Sequence, residues 1–247
     1  MFQDYDFLSI PRFLTTSAEP NTLSDIMGVD IDEYIELMPE DIRRRYSENC
    51  LQQEKSISKS EQIINSFLNA IREIELHPTL YKNHTEPQIN DIIASFVKQF
   101  LTLINVAVTR ETPCGYALKD TGEVDFFLFE SSSGNNIAIE ESKDAGQFSK
   151  TIRQLLGYMN RDTQFGFTIS INKTNTVDEA KKQIIKELEK FKEITEFKTI
   201  KIIRNNDYIM SLHIMPEDNT KNILLYHLVL NFNTDARKDI TKQARKK

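Results

Sequence analysis

Apolar residues return at helical intervals in two long stretches of the first half of the chain, and at strand intervals beyond residue 113. Ile64, Phe67, Leu68, Ile71 and Ile74 recur every three or four residues behind Ser58 and Glu61, which stand at capping-box spacing. They predict a helix over 58–76, ended by His77 and Pro78. Pro87 opens a second helix, with Ile89, Ile92, Ile93, Phe96, Val97, Phe100 and Ile104 along one face. Past Pro113 and Gly115 the period shortens. Residues 123–129 and 137–142 read as strands, and the Ser-Ser-Ser-Gly-Asn-Asn run over 131–136 reads as the turn that joins them into a hairpin. An amphipathic helix over 147–160, with Ile152, Leu155, Leu156 and Met159 inward, leads to a strand over 166–171. Thr176 and Glu179 cap a helix over 177–192, and strands are expected over 198–204, 207–215 and 222–232. This order implies an α/β protein with a mixed central sheet flanked by helices.

The ends of the chain read differently. Residues 1–80 are expected to form an acidic, mainly helical extension, irregular over 1–24 and helical near 31–37 and from Pro39. The main domain is expected over 81–234, followed by a basic tail over 235–247 with six Lys and Arg from Arg237 onward. Charge follows the same division. Residues 1–86 carry 16 acids against 8 bases, whereas the rest of the chain carries 21 against 23. A net charge of −6 excludes a protein that coats nucleic acid by bulk electrostatics, so any such binding must use a local basic surface. No apolar run approaches the roughly 20 residues of a membrane span, and no membrane partner is expected. Two cysteines cannot build a disulfide framework, and the first six residues carry acids where a secretory signal carries bases, so a reducing, cytoplasmic setting is expected. Gly-rich phosphate loops, Cys/His zinc spacings and serine-hydrolase elbows are missing from the sequence; His213 and His227 fall in strands and read as structural.

Chemistry concentrates on the hairpin. Asp125 lies in its first strand, and Glu141, Ser142 and Lys143 end its second. Alternation puts Ile137, Ile139, Glu141 and Lys143 on one side, with the isoleucines feeding the core and the charged pair at its edge. An acid and a lysine ending an apolar strand face are costly unless paired or bound to metal, which points to a function. Phosphodiester hydrolysis needs shielding of the scissile phosphate, an activated water and stabilisation of the charge that builds up. Two carboxylates make a hard oxygen site suited to Mg²⁺, and a neighbouring lysine can orient or deprotonate a water. Glu140 stands beside Glu141; the alternation that ties Glu141 to Lys143 selects Glu141.

Three segments, Gly122–Asp125 (GEVD), Ile137–Lys143 (IAIEESK) and Gln154–Tyr158 (QLLGY) followed by Arg161-Asp162-Thr163, resemble the PD-(D/E)xK, or restriction-endonuclease-like, nuclease superfamily over about 86–232. They are most similar to a subgroup of bacterial nucleases discussed in connection with defence against foreign DNA. The resemblance implies an Mg²⁺-dependent endonuclease, with Mn²⁺ a substitute, acting on nucleic acid and on DNA first. It implies Asp125, Glu141 and Lys143 as catalytic residues, with Asp125, Glu141 and Ser142 at the metal. An acid from the preceding helix, Glu86 in preference to Asp91, completes the set. Gln154 is expected to position the water or a phosphate. Lys150, Gln154, Gly157 and Arg161 form a polar stripe in which Lys150 and Arg161 hold the nucleic-acid backbone, and Tyr158 stacks. The chain lacks the usual Pro before Asp125. Its modest basic character leaves part of the substrate grip to a homo-oligomer or a protein partner, such as an ATPase or helicase subunit. The alternative is a non-catalytic adaptor of the same fold that binds a protein through the acidic residues 1–86.

Overall fold

The computed structural model describes residues 57–113, 122–193 and 197–235, together with Glu40, Lys238, Lys242 and Arg245. The chain separates into two compact units, Met1–Ile57 and Ser58–Lys247, and the elements that follow belong to the second. The helices expected near 31–37 and from Pro39, and most of the basic tail, lie outside the described residues.

Helix α1 (Lys59–Leu76), the single turn α2 (Pro78–Tyr81) and α3 (Glu86–Leu103) precede three strands, β1 (Val106–Pro113), β2 (Glu123–Glu130) and β3 (Asn136–Asp144). Helix α4 (Phe148–Tyr158), β4 (Phe165–Asn172) and α5 (Val177–Lys190) come next, then β5 (Thr199–Arg204), β6 (Ile209–Met215) and β7 (Asp218–Asn231). The seven strands make one sheet in the order β1-β2-β3-β4-β7-β6-β5. β1, β2 and β3 pair antiparallel; β4 runs parallel to β3 and to β7; and β6 pairs antiparallel with both β7 and β5.

Local chemistry explains the helices. Ser58 and Glu61 close the expected capping box on α1, and Thr176 and Glu179 close one on α5. The apolar stripe of α1 and, on α3, Ile89, Ile93, Val97 and Leu101 bury against the strands in one core, while Phe96 and Phe100 of the expected face stay exposed. Within that core Phe67 meets the rings of Phe126 and Phe167 edge-on at 5.3 and 4.6 Å. The stripes of α4 and α5 bury in a second core with Ile139 and Leu225. Covered by both cores, all eight residues of β4 are buried, the pattern expected of a central parallel strand.

Several boundaries differ from expectation. Residues 106–113 form a strand although their sequence, VAVTRETP, gives little alternation; as the sheet's edge, β1 is only partly buried and needs no continuous apolar face. β7 begins at Asp218, four residues earlier than expected. Helix α4 stops at Tyr158 because Met159 takes extended angles (φ −71, ψ 137) and the Asn160 side chain accepts from the amides of Asp162 and Thr163. Helix α1 belongs to the sheet-bearing compact unit, which begins at Ser58. Seven side chains of α1 are buried, each large one worth roughly 1.5–3 kcal/mol on leaving water, which ties this helix to the sheet. Among the described residues no helix is long and apolar enough to cross a membrane.

Candidate active site

Strand geometry assembles the charged residues. Phe126 is in register with Glu140, and the hairpin closes through Glu130, Asn135 and Gly134, which has the positive φ (73°) that such a turn requires. The Ser142 amide donates to Asp125 Oδ2 at 2.9 Å, fixing the aspartate beside the end of β3. Lys143 Nζ then lies 3.6 Å from Asp125 Oδ2 and 3.8 Å from Glu141 Oε2. From the start of α3, Glu86 reaches the same ammonium and accepts a hydrogen bond from it at 2.6 Å. Three acids from three elements thus meet one lysine.

Asp91, the other acid considered on this helix, is committed elsewhere: it pairs with Arg110 of β1, whose guanidinium also donates to the Pro87 carbonyl and lies over the Phe126 ring. Glu140 and Glu141 separate as alternation demands. Glu141 shares the lysine's side, whereas Glu140 is wholly buried on the other and accepts from the Ser142 hydroxyl at 2.7 Å. Ser142 therefore meets Asp125 through its main chain while its hydroxyl points away from the cluster.

The electrostatics are unbalanced. Burial, reinforced by Asp125, pushes the Glu141 carboxyl up to about 8. Burial also raises Glu86, against the opposing pull of Lys143. Desolvation draws Lys143 down, but its bond to Glu86 and the nearby carboxylates outweigh it, so the lysine is held more firmly as ammonium than usual. Glu141 Oε1 is buried without a hydrogen-bond partner, as is Glu140 Oε2 on the opposite face; of the two, only Glu141 stands beside the lysine and a second acid. An orphaned carboxylate oxygen next to a second carboxylate has the donor chemistry of a hard-cation site. Among the described residues no three His, Cys, Asp or Glu side chains are already arranged around one point as metal ligands; the Lys143 ammonium stands among the acids instead.

Helix α4 packs on β3 and β4 and carries the expected polar stripe in part. Lys150 and Gly157 are exposed, and Gln154 is half-buried with Oε1 enclosed and unpartnered. Lys150 lines an open groove of about 410 Å³ with Gly146, Gln147, Ser149 and Arg153. Arg153, which the sequence did not single out, lies with its guanidinium 5.1 Å from the centre of the Phe191 ring. Arg161 is exposed but falls beyond the end of α4, so it does not continue the helical stripe; its carbonyl accepts from Lys221. Tyr158 is half-buried and lies directly over Gly122, where an added Cβ would collide with its ring. Two segments singled out for their sequence, one before Asp125 and one on α4, therefore touch. The chain matches no protein-family model, no curated protein and no solved structure, so this geometry is read on its own terms.

Proposed function

We propose that the chain is a divalent-metal-dependent nuclease that hydrolyses phosphodiester bonds, with DNA the first substrate to test. One observation carries the reading: acids from α3, β2 and β3 converge on Lys143 within 4 Å, and one buried oxygen of Glu141 has no partner. Buried structural acids normally have their oxygens satisfied. A cluster in which burial and a neighbouring acid keep the Glu141 carboxyl protonated, with an orphan oxygen inside, suits a missing cation that would let it ionise. The resemblance of the GEVD, IAIEESK and QLLGY segments to PD-(D/E)xK nucleases supports the same reading.

In this reading Asp125 and Glu141 hold the ion, with Glu86 as the outer acid. The Ser142 amide fixes Asp125 on the side it presents. Bound Mg²⁺ would supply charge shielding at the phosphate and a more acidic water. Lys143, held as ammonium, orients that water and neutralises charge on the phosphate oxygens; its raised affinity for protons makes it a poor base. Lys150, at the groove beside α4, binds the backbone of the nucleic acid, and Gln154 turns its unpartnered oxygen toward a water or amide proton brought by substrate.

The test is direct. Supercoiled, linear and single-stranded DNA, with an RNA of equal length, are incubated with Mg²⁺ or Mn²⁺ and the native chain, Asp125→Ala or Lys143→Ala. Cleavage by the native chain that disappears in both variants is the expected result. Equal activity in all three removes the catalytic assignment.

A further inference from the structure

A second set of buried polar side chains lies in the same sheet. Glu141 is in register with Thr168 of β4, and Thr168 with His227 of β7, so the three share one row on one face. Thr168 Oγ1 is 3.0 Å from His227 Nδ1. His227 Nε2 is 2.7 Å from Ser211 Oγ on β6, and Ser211 Oγ is 2.7 Å from His213 Nε2. His213 Nδ1 ends the series 3.2 Å from the Phe197 carbonyl, with Thr199 Oγ1 at 3.5 Å. Thr168, His227, Ser211 and His213 are all buried, and the Phe148 ring closes over His227 at 5.1 Å.

The last link fixes every proton. A carbonyl can only accept, so neutral His213 carries its hydrogen on Nδ1 and leaves Nε2 bare. Ser211 must then donate to His213, and its oxygen must accept from His227 Nε2–H. His227 Nδ1 is left bare, and the Thr168 hydroxyl donates to it. The one hydrogen that Thr168 owns therefore points away from its in-register neighbour Glu141, whose Oε1 is the buried oxygen without a partner.

We propose that Thr168, His227, Ser211 and His213 form a hydrogen-bond chain of fixed direction that turns the Thr168 hydroxyl hydrogen away from Glu141 and so keeps the glutamate's inner oxygen open to a cation. Thr168 and His227 are then positioning residues, a role that rests on the metal site argued above. A hydroxyl free to donate to Glu141 would compete with the ion; a bond of that kind, to a charged group, is worth about a tenfold change in affinity or more.

Two measurements test this. Long-range ¹H–¹⁵N spectra of the imidazoles in the full chain, without metal, should show His213 as the Nδ1–H tautomer and His227 as the Nε2–H tautomer; the reverse tautomers, or a charged His227 at pH 7, overturn the chain's direction. Calorimetric titration with Mn²⁺ then compares the native chain with His227→Phe, Thr168→Val and the double variant. His227→Phe frees the Thr168 hydroxyl and should weaken Mn²⁺ binding roughly tenfold. Thr168→Val should stay within about twofold of native, and adding it to His227→Phe should restore affinity. Unchanged binding in His227→Phe, or no rescue in the double variant, overturns the role given to Thr168. If His227→Phe does not fold, the native tautomers decide the matter. Native-like Mn²⁺ binding by Asp125→Ala would instead sink the metal reading itself, and the tautomers would still judge the chain.

Discussion

The sheet holds two polar groups of opposite character. Around Lys143 the charges are crowded and uneven, and a buried oxygen goes without a partner. From Thr168 to the Phe197 carbonyl the groups are neutral and every link is made. The first is half-buried apart from Glu141 and the second fully buried, and both combine residues from several elements. A satisfied polar chain can be explained by the fold alone, whereas an unsatisfied charged cluster asks for something the chain does not itself supply.

That contrast can be broken first at Glu141. Glu141→Gln should cut metal-dependent cleavage by more than about a thousandfold, since a ligand charge is lost. It should also stabilise the metal-free chain at high pH. Glu141 has a folded value raised from 4.5 to about 8, so the stability linked to it is complete below 4.5 and is lost as pH rises through about 8. Denaturant titrations from pH 5 to 9 should show that decline in the native chain and its absence in Glu141→Gln. A native chain equally stable at both ends would contradict the unbalanced site.

The histidine chain should respond in the opposite direction. Burial holds His213 at about 4, against 6.5 when unfolded, and holds His227 lower still. An unfolded chain gains protons at both as pH falls below 6.5 while the folded chain does not, so the stability they contribute is complete above 6.5 and is lost on acidification. His213 alone accounts for about 3 kcal/mol between 6.5 and 4, measurable as a fall in the denaturation midpoint. Ser211→Ala strands two imidazole nitrogens and should cost about 2 kcal/mol at pH 7.5; no loss there would mean that the chain is less committed than its distances indicate. The smallest effect is expected outside both groups. Gly122→Ala pushes the Tyr158 ring aside, for about 1 kcal/mol, and a melting temperature equal to native would show that the ring moves freely.

How much of this could be read from the sequence depended on whether the information was local. The hairpin carrying Asp125, Glu141 and Lys143 was legible because period-two alternation and a Gly-Asn turn are short-range signals. Glu86 was legible as a helix-start acid, but its bond to Lys143 was not, since it depends on how α3 crosses the hairpin. Arg161 was misplaced on a helix because nothing in the apolar spacing marked the stop after Tyr158; the Asn160 side chain does that. The histidine chain was invisible for a different reason. Thr168, Ser211, His213 and His227 meet only because β7 lies between β4 and β6, an order that no local pattern encodes.

The two-sided nature of β3 has a consequence for how this chain can vary. Glu141 and Lys143 face one way and Glu140 and Ser142 the other, all within four consecutive residues. Inserting a single amino acid between Asn136 and Glu140 would invert that parity, turning Glu141 into the buried place of Ser142 and delivering Glu140 in place of Glu141. An added pair would preserve it. Length changes in this lineage should therefore collect in the Ser131–Asn135 tip, where the count of residues can drift without turning the strand over.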